Sequence, residues 1–364
     1  RGTRPSLCYT PAPGRRLSGP RSCMSAEVRV LAPSQPSQWI ANPRWDLICL
    51  TLSAALVAVP PLVHSLGKTT AGGVDLLITL LIGGPHMYAT FLKTVFEPRF
   101  RRIHPALTWA PIVVVPAGVI LGTVYAFPWL LTFFFTWASI HVCDQASYIG
   151  YLYREKGGAA RPWQRLLDFS VVIMSLYSYA MYRHVAGTFR ICDTTLWFPA
   201  FLKHAWFADS FAVMTAALVA AWVVLTANQL RRREVAAPYA FFMALTIGVA
   251  LLVPRLNELS VSFQGFNAWH SFQYLGLTYL ILRQDNNAAG ATFVRKMAQP
   301  GKFFRYYGWN LLLTTGTTLV ILLLTVVLRL PAEPSYYAVV LSFLLTHYVH
   351  DHFLFALGSG FKPK

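Results

Sequence analysis

Residues 129–153 read WLLTFFFTWASIHVCDQASYIGYLY. The stretch is long enough to cross a bilayer as one helix, for which about 20 predominantly apolar residues are needed. Yet it carries His141 and Asp144 in its interior. Ionisable side chains at that depth are expensive and ordinarily face a bundle interior or a functional path. This one segment implies a helical membrane protein whose chemistry lies inside the bundle.

The rest of the chain agrees. Of 364 residues, 55% are hydrophobic and 12% charged, and the mean hydropathy is +0.46. A soluble domain averages about 25% charged residues, so a soluble enzyme and a disordered chain are both disfavoured. Apolar length predicts an all-α, polytopic transmembrane bundle of about ten helices, at 46–66, 74–96, 106–127, 129–153, 166–186, 208–229, 238–256, 260–282, 306–329 and 336–358. These form a single membrane domain over 45–358. Residues 196–207 (LWFPAFLKHAWF) are too short and aromatic to span, and read as an interfacial segment. Residues 1–44 read as a disordered or interfacial tail. Within it, 1–23 (RGTRPSLCYTPAPGRRLSGPRSC) has the composition of an over-extended reading frame before Met24. Residues 359–364 read as a C-terminal tail.

The formal net charge of +17 does not signal nucleic-acid binding, because no basic stripe interleaves with stacking aromatics. Instead, basic residues crowd alternate loops. Arg99, Arg101 and Arg102 follow the second predicted helix, Arg154, Lys156, Arg161 and Arg165 the fourth, and Arg231, Arg232 and Arg233 the sixth. The intervening loops hold only Lys68, Arg183, Arg190, Lys203, Arg255 and Arg329. This positive-inside bias predicts cytoplasmic N- and C-termini, in a membrane such as the bacterial inner membrane. Cys8, Cys23, Cys49, Cys143 and Cys192 form no CxxC pair, so neither a disulfide framework nor a zinc knuckle is expected.

Histidines carry the functional signal. His86, His141, His270 and His347 fall near the middle of four even-numbered predicted helices. All four helices run in one direction, so the histidines share a plane to within about one helical turn. Four imidazoles at one depth point to a metal centre inside a bundle. Polar neighbours share their faces: Asp144 and Gln145 follow His141 by three and four residues, Gln273 and Tyr274 follow His270, and His350 and Asp351 follow His347. His350 is thus a further candidate ligand. Asp144 and Asp351 either orient ligands, as carboxylates do for metal-bound imidazole, or serve as helix caps and interhelical hydrogen bonds. Tyr148 and Tyr274 are candidates to position substrate or donate a hydrogen bond. Imidazole with carboxylate and no paired thiolate suits non-haem Fe(II), and copper or zinc less well. Gly83, Gly84 and Pro85 before His86 predict either a widened helix or close helix packing. Phe133, Phe134, Phe135 and Trp137, with Phe263, Phe266 and Trp269, either wall a substrate tunnel or are lipid-facing and belt aromatics.

Four segments, GGPHMYATF (83–91), SIHVCDQASY (139–148), AWHSFQYL (268–275) and HYVHDHF (347–353), resemble the histidine-bearing segments of the bacterioopsin-related (Brp/Blh) membrane β-carotene dioxygenases. That resemblance implies a histidine-bound iron held by His86, His141, His270 and one more residue of the last helix. The chain differs from that family in two places. Met87, Tyr88, Ala89 and Thr90 follow Pro85–His86, where the family has an Asp, and Tyr274 stands where it has a second His.

Taken together, the expectation is an enzyme: a non-haem iron oxygenase that uses dioxygen on a lipophilic substrate, a carotenoid or other isoprenoid or an acyl lipid, within the lipid bilayer. No GxGxxG or GxxxxGK[ST] loop is present, so any reductant comes from an external electron donor. The alternatives are a haem-binding electron-transfer or haem-handling protein, which needs two facing imidazoles, and a proton- or metal-coupled transporter using midplane His and Asp.

Overall fold

The computed structural model describes residues 38–67, 70–157, 160–191, 194–256, 258–284 and 293–356. The tail read over 1–44 lies mostly outside the described residues, as do Cys8, Cys23, Cys192 and the 359–364 tail. The described chain is almost wholly helical. In order it runs α1 (Pro43–Gly67), α2 (Ala71–Lys93), a short α3 (Pro98–Ile103), α4 (Pro105–Tyr125), α5 (Phe127–Lys156), α6 (Pro162–Val185), α7 (Ala205–Arg231) and α8 (Ala237–Arg255). It continues through α9 (Leu259–Gln284), a short α10 (Phe293–Met297), α11 (Phe303–Val327) and α12 (Ala332–Ala356). Proline marks the starts: Pro105, Pro128, Pro162 and Pro238 each occupy the first turn, where no intrahelical N–H partner is needed. Among the described residues the only strand pairing is a two-residue antiparallel hairpin, Arg190–Ile191 with Thr194–Thr195.

Among the described residues six helices, α1, α2, α4, α7, α8 and α11, are long and apolar enough to cross a membrane. Helices α5, α6, α9 and α12 are comparably long but more polar. Three of these carry His141, His270, and His347 with Asp351, so polarity is concentrated on the helices that build the interior. Helix α2 packs on α9, α11 and α12, and α5 also touches α9 and α12. The four histidine-bearing helices therefore meet. One apolar cluster precedes the histidines along them (Ala138, Phe263, Leu341, Leu345). Another follows (Ala89, Leu92, Tyr274, Leu275). Where α9 crosses α1, a Cβ on Gly265 would lie 2.3 Å from the Val57 carbonyl oxygen, so only glycine permits that approach.

Two expectations are corrected. The aromatics before His141 and His270 divide: Phe135, Phe263, Phe266 and Trp269 are core, Phe133 is exposed, and Trp137 lines a cleft beside His141. Phe135 and Phe263 pack with ring centroids 4.6 Å apart, and Trp269 is buried against Phe242 and Phe266. Arg154, read as a loop charge, is buried instead. Its Nε is 3.2 Å from Asp168 Oδ2 and its Nη1 donates to Gln229 at 2.9 Å; Nη2 also donates to the Tyr239 hydroxyl. Asp168 Oδ1 accepts from Tyr239 (2.7 Å) and Trp222 (3.2 Å), so one ion pair ties α5, α6, α7 and α8 together. The 196–207 stretch forms no long helix. Trp197 stacks on Trp129 at 3.7 Å and donates its backbone N–H to Thr132 at 2.8 Å, which closes the segment over the start of α5.

Candidate metal centre

Local sequence on α2 aims His86. Pro85 has no N–H for the carbonyl four residues back, and the helix relaxes into a π turn over Thr79–Gly83, closed by the Gly84 N–H on the Thr79 carbonyl. The Leu81 carbonyl, which Pro85 cannot serve, accepts instead from the Tyr307 hydroxyl of α11 at 2.6 Å. Close packing accompanies the widened turn: a Cβ on Gly84 would lie 2.1 Å from Thr314 Cγ2 on α11. Both readings of the Gly83–Gly84–Pro85 run therefore hold at once.

His86, His141, His270 and His347 come together. Ring centroids are 4.3 Å apart for His86–His347, 4.8 Å for His86–His270, 5.0 Å for His141–His270 and 6.3 Å for His86–His141. One ligand atom each from His86, His141, His347 and Asp351 all lie within 4.8 Å of one another. Metal–ligand bonds of about 2.0–2.2 Å put opposed ligands at most about 4.4 Å apart, so the set needs to contract by only a few tenths of an ångström. His270 lies outside that tightest group, yet its ring abuts two of its members.

Three histidines share a helical rule. Thr90, Tyr274 and Asp351 each stand four residues after His86, His270 and His347, one turn along the same face. These three form a second polar layer. Asp351 Oδ1 accepts from Thr90 at 2.7 Å and also from the Tyr274 hydroxyl; Thr90 and Tyr274 oxygens are 2.5 Å apart. Thr90 Oγ1 also lies 2.6 Å from His347 Nδ1 and so orients that ring; the tautomer with its proton on Nδ1 leaves the Nε2 lone pair facing the cluster. Gln145 donates to the His270 carbonyl at 3.1 Å, and Gln273 donates to the Leu50 carbonyl at 2.7 Å, tying α5, α9 and α1 around the centre.

The decisive chemical fact is what lacks a partner. Both ring nitrogens of His86 and of His270, Nε2 of His141, Nε2 of His347 and Oδ2 of Asp351 are buried without a hydrogen bond. Asp351 Oδ2 approaches His347 Nε2 at 3.4 Å and His141 Nε2 at 3.8 Å, too far for a well-formed hydrogen bond. A buried polar atom left unpaired costs about 1–3 kcal/mol, and here several converge on one point. A cation there satisfies one nitrogen each of His86, His141 and His347 together with Asp351 Oδ2, so these residues fit a resident metal.

Three sequence candidates fall elsewhere. His350 is turned toward α4, with Nε2 3.1 Å from the Leu107 carbonyl and Nδ1 3.3 Å from Thr94. At about 100° per residue it is rotated some 60° from His347, and Asp351 about 40° the other way, so Asp351 rather than His350 faces the centre. Asp144 is not a member; it accepts from Arg165 Nη2 at 2.8 Å, with its side chain 46% exposed. Tyr148 packs beneath that arginine, whose guanidinium lies 5.5 Å from its ring centroid. Thr90 was the residue overlooked; its place one turn after His86 is the signal that marks it.

No family model, curated protein or solved structure matches this chain.

Proposed function

We propose that this chain is a membrane-embedded, histidine-ligated non-haem iron oxygenase acting with dioxygen on a lipophilic substrate, a carotenoid or other isoprenoid or an acyl lipid. The observation that carries the reading is the set of unpaired, buried imidazole nitrogens and one carboxylate oxygen converging from four helices. His86, His141, His347 and Asp351 would hold Fe(II), with His270 beside them. Iron bound there supplies dioxygen activation. Thr90 and Tyr274 hold Asp351 by Oδ1 and leave Oδ2 toward the centre, while Thr90 fixes the His347 ring. The two apolar clusters pack on either side of the centre along the helices that carry it.

The same proposal includes ten membrane spans, with α5, α6, α9 and α12 crossing as interior helices, both termini cytoplasmic, a bacterial inner membrane and an external electron donor where the reaction needs one. It also includes kinship with the bacterioopsin-related dioxygenases. Crowding of the centre favours non-haem iron over haem: rings and carboxylate close in from several sides, where a macrocycle would have to lie.

The test is metal content and visible spectrum of the detergent-purified protein beside the His86→Ala/His141→Ala double variant. Stoichiometric iron without a Soret band, lost in the variant, is the expected result. A Soret band moves the assignment to haem. His141→Ala protein that keeps full iron, or wild type that takes up none after anaerobic Fe(II) reconstitution, removes the oxygenase reading.

A further inference from the structure

A cleft of about 720 Å³ opens beside the histidine cluster between α5, α6 and α12. Its volume lies in the range of small-molecule sites, about 300–1,000 Å³. His141 and Asp351, with side chains 10% and 2% exposed, lie in its floor. Asp144 and Arg165, 46% and 34% exposed, stand at the mouth. Asp144 is one turn after His141 on α5 and Trp137 one turn before it, so the apolar wall, which includes Trp137, Leu166, Phe169 and Tyr348, continues beyond His141. The cleft thus has a polar mouth, the proposed metal centre one turn inside it and an apolar length beyond.

The mouth discriminates among head groups. Arg165 Nη2 donates to Asp144 Oδ1, so the pair is neutral as a whole, yet it still presents further guanidinium N–H donors and the second carboxylate oxygen side by side. A carboxylate head group meets Asp144 at close range, and an ammonium meets Arg165. A pure hydrocarbon covers the pair and strips its water without replacing the hydrogen bonds. A hydroxyl does both jobs: it accepts from Arg165 and donates to Asp144.

We propose that this cleft takes a long-chain lipophile ending in a hydroxyl, an acyl or isoprenoid alcohol, with the hydroxyl on Asp144 and Arg165 and the chain running past His141 toward Trp137 and Phe169. That this ligand is the substrate rests on the oxygenase reading; that it binds does not.

The experiment uses the full chain in detergent and four conjugated polyenes of one length, ending in a hydroxyl, a carboxylate, an amine or a methyl group. Binding is followed by quenching of tryptophan fluorescence, and Trp137→Phe identifies the part of the signal arising in the cleft. The alcohol is expected to bind about ten-fold or more tighter than the others, the range of a charge-assisted hydrogen bond. Asp144→Asn shifts the preference to the acid, and Arg165→Gln shifts it to the amine. The double substitution Asp144→Asn/Arg165→Gln leaves no charge unpaired and abolishes the preference, which keeps the test decisive if a single variant unfolds. Equal binding of all four polyenes, a wild-type preference for the acid or the amine, or an alcohol preference that survives the double substitution overturns the proposal. Iron content is read on the same samples. Iron-containing protein that fails to discriminate removes this inference alone, and discriminating protein without iron removes the oxygenase reading alone.

Discussion

Thr90 holds more of the centre together than its size suggests. Most threonine hydroxyls here satisfy their own helix, as Thr94 does on the Thr90 carbonyl, Thr123 on Val119 and Thr136 on Thr132. Thr90 instead spends its hydroxyl on Asp351, Tyr274 and His347. Thr90→Val keeps the shape and removes all three contacts. Iron affinity is expected to fall about 10–100-fold, the usual effect of losing a group that orients metal ligands, with Thr90→Ser restoring most of it. Anaerobic Fe(II) titration against a chelator checks this; unchanged affinity in Thr90→Val denies it the orienting role. The convergence of the four histidines was legible in the sequence because position along helices of similar length and direction translates into height in the bundle. Which of His347 and His350 faces inward was not, because height says nothing about rotation. Thr90 was hidden by its own ordinariness, since a threonine in an apolar helix almost always bonds to the backbone behind it.

At the scale of elements, α2 combines a widened turn with a close crossing. Gly84→Ala drives a methyl into Thr314 and is expected to destabilise the protein by about 1–3 kcal/mol, the cost of overpacking. Thr314→Ala removes the nearer obstacle and should recover part of the loss. The Thr79 carbonyl oxygen, 2.8 Å from the added methyl carbon, still limits recovery. Thermal unfolding in detergent of both single variants and the double variant measures the coupling; additive effects would mean the two sites do not press on each other. The sequence offered widening and close packing as alternatives. Periodicity cannot separate them, because a proline that frees a carbonyl and a glycine that admits a neighbour are set side by side.

For the whole molecule, the buried Arg154–Asp168 pair is the main departure from what charge counting suggests. A basic residue next to a predicted loop reads as an orientation signal. Only the fold reveals that Arg154 turns back among α6, α7 and α8. Arg154→Met leaves Asp168 charged and unpaired, and is expected to cost about 3–5 kcal/mol. Adding Asp168→Leu should return most of that, since an apolar pair of similar volume often matches a buried ion pair. Melting temperatures of the three variants decide it: a double variant no better than Arg154→Met assigns the network's worth to the remaining contacts of Tyr239, Trp222 and Gln229. The all-helical class and its interior polarity were readable from length and from the placement of His and Asp. The interhelical ion pair was not, because its two ends lie on different helices and neither alone departs from an ordinary helix terminus.

The bond from Tyr307 to the Leu81 carbonyl has a mechanical consequence. Because Pro85 can never take that carbonyl back, separating α11 from α2 at this point takes away the donor that replaces the missing N–H. The turn that aims His86 is thereby pinned to α11, so replacing Tyr307 with Phe disturbs the placement of a histidine that Tyr307 never touches.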